Sequence, residues 1–300
     1  MNTTINCIEL NQLLAAAKVV LVDVLTPEDF EQVHIAGAKN ACVYEMVFLD
    51  RVAELAPDKD RALVVYDATG ATMSAETARD KLVRAGYSKV SVLAGGLAAW
   101  RAADFALEGA APVGTAAVTA RDGEYRIDVE KSSLEWIGRN INNRHYGRIA
   151  IAAGELVLCR GCLAEGRIVM DMTSIANLDL EDAFWKDLLL RHLKSDDFFA
   201  VERYPVATFN LNGWEPLPDA TPGRPNGIVT GTLTIKEVTR PVSFPAVVAP
   251  QEDGSIKAHA VLDIDRTLWN VSYGSGRFFE RLGMHLVHDL ISLELFIVAR

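Results

Sequence analysis

Cys159 and Cys162 have the spacing of a redox or zinc-binding pair. One such pair supplies two of the four ligands of a structural zinc site, and the sequence contains no second pair. The two cysteines follow an apolar β-type run and enclose Arg160 and Gly161. They do not precede a helix whose N-terminus would lower a thiol pKa. The pattern favours a hairpin turn, and the role of the two thiols stays open.

His285, His288 and Asp289 are residue types that bind metals. If they lie on one strand, a spacing of three directs the two imidazole rings to opposite faces. Residues 273–277 have the glycines of a phosphate loop but lack its lysine and its strand-to-helix context. We therefore expect no metal site here, and a surface loop at residues 273–277.

Short apolar runs alternate with helical patterns between residue 5 and about residue 107. Residues 19–23, 62–66 and 90–93 are typical of buried strands, and residues 76–85 have a helical pattern that Gly86 ends. Strands and helices in alternation predict a mainly parallel sheet with helices on both faces.

This first half resembles the rhodanese family. The motifs that carry the resemblance are DVLTPEDF at 23–30, HIAGAKN at 34–40, VVY at 64–66, Gly95-Gly96 and Trp100. In that family a cysteine stands first in the loop after a strand, where loop amides and a helix N-terminus hold its thiolate or persulfide. The resemblance places Asp67 in the cysteine's position, so the loop DATGATM, with Gly70 and Met73, is degenerate.

A carboxylate cannot accept and pass on a sulfane sulfur, so we expect no sulfurtransferase activity and no catalytic residue. Two interpretations of Asp67 remain. Its carboxylate fills the anion site and caps the following helix, or it does acid/base work, for which no partner residue is evident. Cys7 is expected on an early strand and Cys42 in a connection, both as ordinary buried residues.

The second half has a different periodicity. Residues 109–122 are rich in small residues and predict a linker between a domain at 1–108 and one at 123–300. From residue 124, apolar residues alternate in roughly eight runs, with one amphipathic helix between the fourth and the fifth. This predicts an antiparallel sandwich or barrel. About eight strands either fill their interior with side chains or leave room for one ligand.

The helix end HLKSDDFF at 192–199 and the following Tyr204-Pro205 resemble the YceI family of lipocalin-like proteins. Further matching motifs lie at 136–138, 145–147, 171–175, 231–235, 239–241, 265–269, 273–276 and 278–279. The resemblance covers essentially residues 124–299. It implies a hollow, elongated barrel that binds a polyisoprenoid chain.

The resulting hypothesis is a binding protein for a long apolar molecule, namely a polyisoprenoid, a quinone or a fatty-acyl chain. The candidate wall and lid residues are Trp136, Leu188, Leu189, Phe198, Phe199, Phe209, Tyr273, Phe278 and Phe279, each equally consistent with ordinary core. His145 and His192 either bind the polar head of the ligand or are structural, and Arg277 would meet an anionic head. Trp185 fits either helix face.

The net charge of −10 argues against nucleic-acid binding and against anchoring on anionic membranes. No apolar run has the length of a transmembrane helix. The first residues lack the features of a signal peptide, although YceI-like proteins are often exported, so we expect a cytoplasmic location. No cofactor is expected. The alternatives are a sulfur- or isoprenoid-modifying enzyme, and an interaction module whose first domain docks a partner protein and whose barrel is filled. The oligomeric state stays open.

Overall fold

The computed structural model describes residues 4–110, 119–218 and 220–300. The chain divides into two compact units, Met1–Ala116 and Ala117–Arg300. Most of the predicted linker, residues 111–118, lies outside the described residues, so the linker and the exact domain boundaries stay predictions.

The first unit is an α/β domain. In chain order its elements are β1 (Thr4–Ile5), α1 (Cys7–Ala15), β2 (Val19–Asp23), α2 (Pro27–Gln32), β3 (His34–Ile35), β4 (Lys39–Asn40), α3 (Phe48–Leu55), β5 (Ala62–Tyr66), α4 (Ser74–Arg84), β6 (Val90–Leu93), α5 (Gly96–Ala102) and β7 (Leu107–Glu108). Strands β1, β6, β5, β2 and β4 form a parallel sheet in that order, and β3 pairs with β7. The predicted parallel α/β domain is confirmed.

Alternate residues of the central strands serve two separate cores. Val22 and Val65 pack on one face of the sheet, whereas Leu21 and Val64 pack on the other. Strands buried on both faces read as continuous apolar runs, which is why β2 and β5 were recognisable from the sequence.

Two details differ from the predictions. Cys7 lies on helix α1 and not on a strand, because Asn6 and Glu9 form a capping box that starts the helix directly after Asn6. The Cys7 side chain is only half-buried. Helix α4 begins at Ser74, two residues before the predicted start. Cys42 is buried as expected.

Asp23, at the end of β2, is a buried carboxylate with incomplete pairing. It is fully buried; Oδ1 accepts a hydrogen bond from the Leu25 amide at 2.8 Å, and Oδ2 has no hydrogen-bond partner among the described residues. Burial raises its pKa to about 6, against the opposing effect of the Leu25 amide. The folded protein therefore holds a proton here that the unfolded chain releases near pH 4.

This carboxyl group should make the first unit less stable as the pH rises. The pKa of Asp23 is higher in the folded state than in the unfolded state. The contribution of this carboxyl group to the free energy of unfolding is therefore complete below about pH 4 and is lost as the pH passes about 6. The loss amounts to up to about 3 kcal/mol. Asp23→Asn should therefore gain stability relative to wild type between pH 4 and pH 8. The measurement is hydrogen exchange of β2 and β5 in both proteins. An unchanged difference between them across this range would contradict the assignment.

The second unit is an antiparallel barrel. Its elements are β8 (Gly123–Arg126), β9 (Ser133–Arg139), β10 (Arg144–Cys159), β11 (Cys162–Asn177), α6 (Ala183–Lys194), β12 (Val206–Pro216), β13 (Gly227–Ile235), β14 (Val238–Pro250), β15 (Ile256–Asp265) and β16 (Leu290–Ala299). Short 3-10 helices lie at Arg266–Trp269 and Gly283–His285. Strands β9 to β16 pair in a closed ring, because β11 pairs with both β12 and β10. The predicted barrel with one helix after its fourth strand is confirmed.

Local sequence explains the hairpins of the barrel. In β13, buried and partly exposed residues alternate without interruption, as expected of a strand with one face inside. Arg160 and Gly161 both have positive φ, and Cys159 pairs directly with Cys162 across the turn. Two consecutive residues with positive φ favour a tight hairpin turn. The Asp122 carboxylate accepts hydrogen bonds from the backbone amides of both residues, each at 2.8 Å. The CxxC motif is therefore a hairpin turn with two exposed thiols.

Helix α6 connects β11 to β12 with less burial than its sequence predicts. Asp182 caps its N-terminus, and Leu193 is its only buried residue. Leu188, a predicted wall residue, is 41 % exposed, and Phe184 and Trp185 on the same helix are 63 and 58 % exposed. The helix thus lies on the barrel along a narrow stripe and leaves an apolar face uncovered.

Within the ranges that the structure describes, no helix is long and apolar enough to cross a lipid bilayer.

Candidate functional site

The barrel contains a cavity of about 320 Å³ beneath helix α6. It is lined by twenty apolar or aromatic residues and glycine: Leu134, Trp136, Gly138, Ile149, Met170, Met172, Ile175, Leu189, Leu193, Phe198, Phe199, Ala207, Leu233, Ile235, Ile264, Tyr273, Met284, Val287, Ile291 and Leu293. Seven polar residues complete the wall: Arg139, Asn140, His145, His192, Arg266, His285 and His288. Met284, His285 and His288 are exposed, so the cavity opens to solvent beside them, and we call this opening the mouth.

The barrel interior is hollow at one end and filled at the other. The lining residues come from β9, the start of β10, the second half of β11, the start of β12, the ends of β13 and β15 and the start of β16, together with α6 and the loops. Toward the other end, Phe209 packs on Phe244 with ring centroids 5.7 Å apart. A Cβ at Gly231 would lie 2.6 Å from the Phe209 ring, so the glycine makes room for it. The cavity therefore does not extend past the Phe209–Phe244 pair.

Seven of the candidate ligand-binding residues meet at this cavity. Trp136 and His145 face it from β9 and β10, Leu189 and His192 face it from α6, and three aromatic residues complete the group: Phe198, Phe199 and Tyr273. Phe198 is buried and Phe199 is partly buried. The aromatic pair after α6 thus closes the cavity from above.

Five candidate residues do not line it, each for a physical reason. Phe209 belongs to the filled end. Leu188 is next to Leu189, but successive helical residues are 100° apart, and Leu188 therefore faces solvent. Arg277 forms an ion pair with Asp265 at 3.9 Å. The remaining pair, Phe278 and Phe279, is 54 and 47 % exposed on the loop that precedes the mouth.

His145 is held in place by Asp179. Its Nδ1 lies 2.8 Å from Asp179 Oδ2, and the other carboxylate oxygen accepts the Tyr146 amide at 2.8 Å and the Asn177 side-chain amide at 2.6 Å. Burial opposes ionisation of Asp179, but these hydrogen bonds outweigh it and lower the carboxyl pKa. A ring fixed in this way keeps its other nitrogen free for a ligand atom.

His192 is part of an aromatic cluster. Its ring packs edge-on against Tyr273 and Phe198, with centroid distances of 4.4 and 5.0 Å, and its Nε2 is 3.6 Å from Asp197. These contacts attach helix α6 to the loop that follows the 3-10 helix at Arg266–Trp269. A structural role is therefore evident for His192, together with its place in the cavity wall.

Arg266 is a buried cation in the wall. Its guanidinium donates to the carbonyl oxygens of Val271, Val287 and His288, at 2.6 to 3.1 Å, and lies 3.7 Å from an Asp289 carboxylate oxygen. Burial lowers the pKa of the guanidinium, and the nearby Asp289 and Asp265 carboxylates oppose this effect. Arg266 thereby fixes the segment that carries the mouth histidines.

His285 and His288 do not lie on one strand, so the expectation of opposite strand faces does not apply to them. His285 ends a 3-10 helix and His288 precedes β16, because the chain is tied there to Gly274 and Arg139 by backbone hydrogen bonds. Both rings border the mouth. Within residues 4–110, 119–218 and 220–300, no group of three His, Cys, Asp or Glu side chains is placed to hold a metal ion.

Several wall residues were not predicted as site residues, although the sequence contained a partial signal for them. Met170, Met172, Leu233, Ile235 and Leu293 are inward positions of period-two runs. Periodicity identifies the inner face but does not say which end of each strand borders an empty space. Arg139 and Asn140 belong to no pattern in the sequence, and Arg266 lies in the motif at 265–269, which carried the resemblance without giving this residue a role.

The loop after β5 forms a second candidate site. Asp67 is 1 % exposed, and its Oδ1 accepts the amides of Thr69 at 3.2 Å and Gly70 at 2.6 Å. Its Oδ2 accepts the Thr72 hydroxyl at 2.9 Å and the Ala75 amide, at the start of α4, at 3.4 Å. This is the arrangement that the capping interpretation predicts. Met73, the last loop residue, is 75 % exposed.

Glycines allow this loop to close. Gly70 has φ +66°, and a Cβ there would lie 2.6 Å from the Gly95 backbone nitrogen. At Gly96, with φ +53°, a Cβ would lie 2.3 Å from the Asp67 carbonyl oxygen. Both positions therefore require glycine, which explains the Gly95-Gly96 motif in physical terms.

Replacing Asp67 with alanine should destabilise the first unit by about 2–4 kcal/mol, because four donors lose their acceptor. Asp67→Asn retains one acceptor oxygen and should lose less. Pulse proteolysis across a urea series measures the effect on this unit. Equal stability of the alanine variant and wild type would show that the carboxylate does not support the loop.

Comparison with known proteins agrees with this architecture. The YceI-like domain model matches residues 125–299, which is more than half of the chain. The chain is a member of the YceI family. The rhodanese-like domain model matches residues 7–103, so this family member carries a rhodanese-like domain before its barrel.

Individual relatives match one unit each. The Escherichia coli K12 protein YibN is 34 % identical over 92 residues, which are 31 % of this chain; the chain spans 62 % of that relative's length. BcnA of Burkholderia cenocepacia is 25 % identical, with a TM-score of 0.45, over 58 % of this chain and 99 % of BcnA. A polyisoprenoid binding domain from Saccharophagus degradans, implicated in plant cell wall breakdown, is 16 % identical, with a TM-score of 0.44, over 59 % of this chain and 97 % of that domain.

Proposed function

We propose that the barrel of this YceI family member binds one long apolar molecule, a polyisoprenoid, a quinone or a fatty-acyl chain, without chemically changing it. The observation that carries the proposal is the cavity under α6. Its described wall includes no Cys, Ser, Thr, Lys, Asp or Glu side chain, so it offers mainly apolar contact, without a thiol, an aliphatic hydroxyl, an amine or a carboxylate.

The volume and chemistry of the cavity fit the end of a chain molecule. A volume of 320 Å³ lies at the lower end of ligand pockets, which span about 300–1,000 Å³. Each buried methylene contributes about 0.8 kcal/mol, so a chain end gains affinity without hydrogen bonds. The polar head would remain near the mouth, among Arg139, His145, His285 and His288. The polyisoprenoid binding of the Saccharophagus degradans domain is consistent with this ligand class.

Native mass spectrometry of gently purified full-length protein, followed by organic extraction, tests the proposal. We expect one apolar molecule per chain, released by the solvent. A clean extract, together with no binding of added retinol or palmitate, would refute it. The cytoplasmic location and the absence of a required cofactor stay predictions from the sequence.

We further propose that the rhodanese-like unit does not transfer sulfur. The Asp67 carboxylate already uses the loop amides that would stabilise a persulfide anion in an active member of that family. Incubation with thiosulfate and cyanide should give no thiocyanate above background. Wild-type turnover that Asp67→Ala abolishes would contradict this and favour the enzyme alternative.

An interaction role for this unit is supported by its exposed apolar side chains. Tyr44 and Met46 are 66 and 100 % exposed, and the Tyr44 hydroxyl lies 2.6 Å from that of Ser74, beside the exposed Met73. Exposed apolar groups of this kind mark protein contacts. A protein captured by the full chain but not by a Met46→Glu/Met73→Glu variant would support this role; equal capture by both would oppose it.

A further inference from the structure

Exposed apolar side chains lie on chain segments that also supply residues to the cavity wall. We call three of these segments, residues 139–145, 183–194 and 277–285, the mouth rim. Its exposed apolar side chains are Ile141, Phe184, Trp185, Leu188, Phe278, Phe279 and Met284. Of the five strongly exposed aromatic residues in the described part of the barrel, four lie on the rim, and the fifth is Phe296 on β16.

Contacts join the three segments into one surface. His145 binds Asp179 just before helix α6, and His192 on that helix packs on Tyr273, which leads into the third segment. Asn140 forms a bridge with Val287, directly after the third segment. Exposed apolar groups on segments joined in this way are of the kind that marks an interaction surface.

The charge of the mouth rim is opposite to that of the whole chain. The chain has 30 Lys and Arg against 40 Asp and Glu, whereas the rim segments have seven against two. One of those two acids, Asp187, is already paired with Arg191 at 3.0 Å. Five basic rim side chains make no ion pair with any described residue: Arg139, Arg144, Lys186, Lys194 and Arg281. The overall charge of −10, from which the sequence argued against anionic membranes, therefore does not describe this surface.

We propose that the mouth rim docks on an anionic lipid bilayer, where the barrel takes up or delivers its ligand. This inference rests on the proposed function. Aromatic and basic side chains together are suited to the lipid–water interface, since the rings enter the head-group layer and the cations meet anionic lipids. A chain molecule with negligible solubility in water resides in a bilayer. A mouth seated on the bilayer lets its apolar end pass between lipid and cavity without crossing water.

Sedimentation of the full chain with vesicles tests the docking. The vesicles contain 70 % phosphatidylcholine and 30 % phosphatidylglycerol, with pure phosphatidylcholine as the comparison. We expect binding to the anionic vesicles that decreases with salt, and at least about tenfold weaker binding for Trp185→Ser/Phe278→Ser, because both rings lose their place in the interface. Phe296→Ser is the matched control and should change binding less than twofold, since Phe296 is exposed on β16 and pairs with His259 and Ser133, outside the rim segments.

A second measurement separates this inference from the proposed function. Binding of cis-parinaric acid in solution, without vesicles, should be the same in wild type and in the rim variant, which also shows that the variant is folded. No vesicle binding by wild type, or equal vesicle binding by the rim variant, would overturn the docking. Self-association in solution that the rim variant abolishes, with no vesicle binding, would also overturn it. Vesicle binding without parinaric acid binding would refute the cavity function and leave the docking supported.

Discussion

Gly138→Phe is expected to weaken ligand binding by at least about a hundredfold while the barrel remains folded. Gly138 lies on the inner face of β9, two residues after Trp136, and its missing side chain forms part of the cavity. A Cβ placed there has only ordinary contact, 3.8 Å from a Trp136 ring carbon. The phenylalanine ring would therefore extend into the empty space. Displacing three or four methylenes, at about 0.8 kcal/mol each, corresponds to roughly a hundredfold loss of affinity.

The control is a substitution at the preceding residue of the same strand. Ile137 faces outward, so Ile137→Phe adds the same ring outside the cavity and should leave the affinity unchanged. Fluorescence titration with parinaric acid compares the three proteins, and thermal unfolding confirms that each is folded. Wild-type affinity in the Gly138 variant would place the ligand outside this cavity.

The fold could be predicted because its periodicities are local. In β13 an inward side chain occurs at every second position, and in β2 and β5 four of the five positions are buried, so each strand shows its environment directly in its sequence. The hairpin at Cys159–Cys162 was likewise evident, because Gly161 and its neighbour adopt the left-handed backbone that the turn requires. Even the position of α6 within the strand order followed from a single change of period.

The site was less predictable because it depends on non-local packing. The helical pattern of α6 suggested a buried stripe, but only Leu189, Leu190 and Leu193 pack against the barrel core, and Trp185 is exposed. Phe209 has the same alternation as the wall residues, but its partner Phe244 is more than thirty residues away and fills the space beside it. Which inward residues border a void is decided by such pairs, and no single run contains that information.

Affinity for unbranched fatty acids should increase steeply with chain length and then level off. The cavity of 320 Å³ corresponds to roughly ten water-sized groups, and a methylene has a similar size. Up to about ten carbons, each added methylene should strengthen binding about fourfold, which is the equivalent of 0.8 kcal/mol. Longer chains must leave through the mouth and contact only the rim, so each further methylene should contribute less than a factor of two.

Competition titrations of parinaric acid with acids of six to sixteen carbons, each below its micelle concentration, measure this dependence. The chain length at which the affinity levels off should be shorter in a variant with a partly filled cavity. Ala207→Leu is such a variant, since Ala207 lies in the wall. A constant fourfold gain through sixteen carbons would mean that α6 and the Phe198-Phe199 pair move to lengthen the cavity. No dependence on length would mean that the head group alone is bound, and the apolar cavity would then not be the binding site.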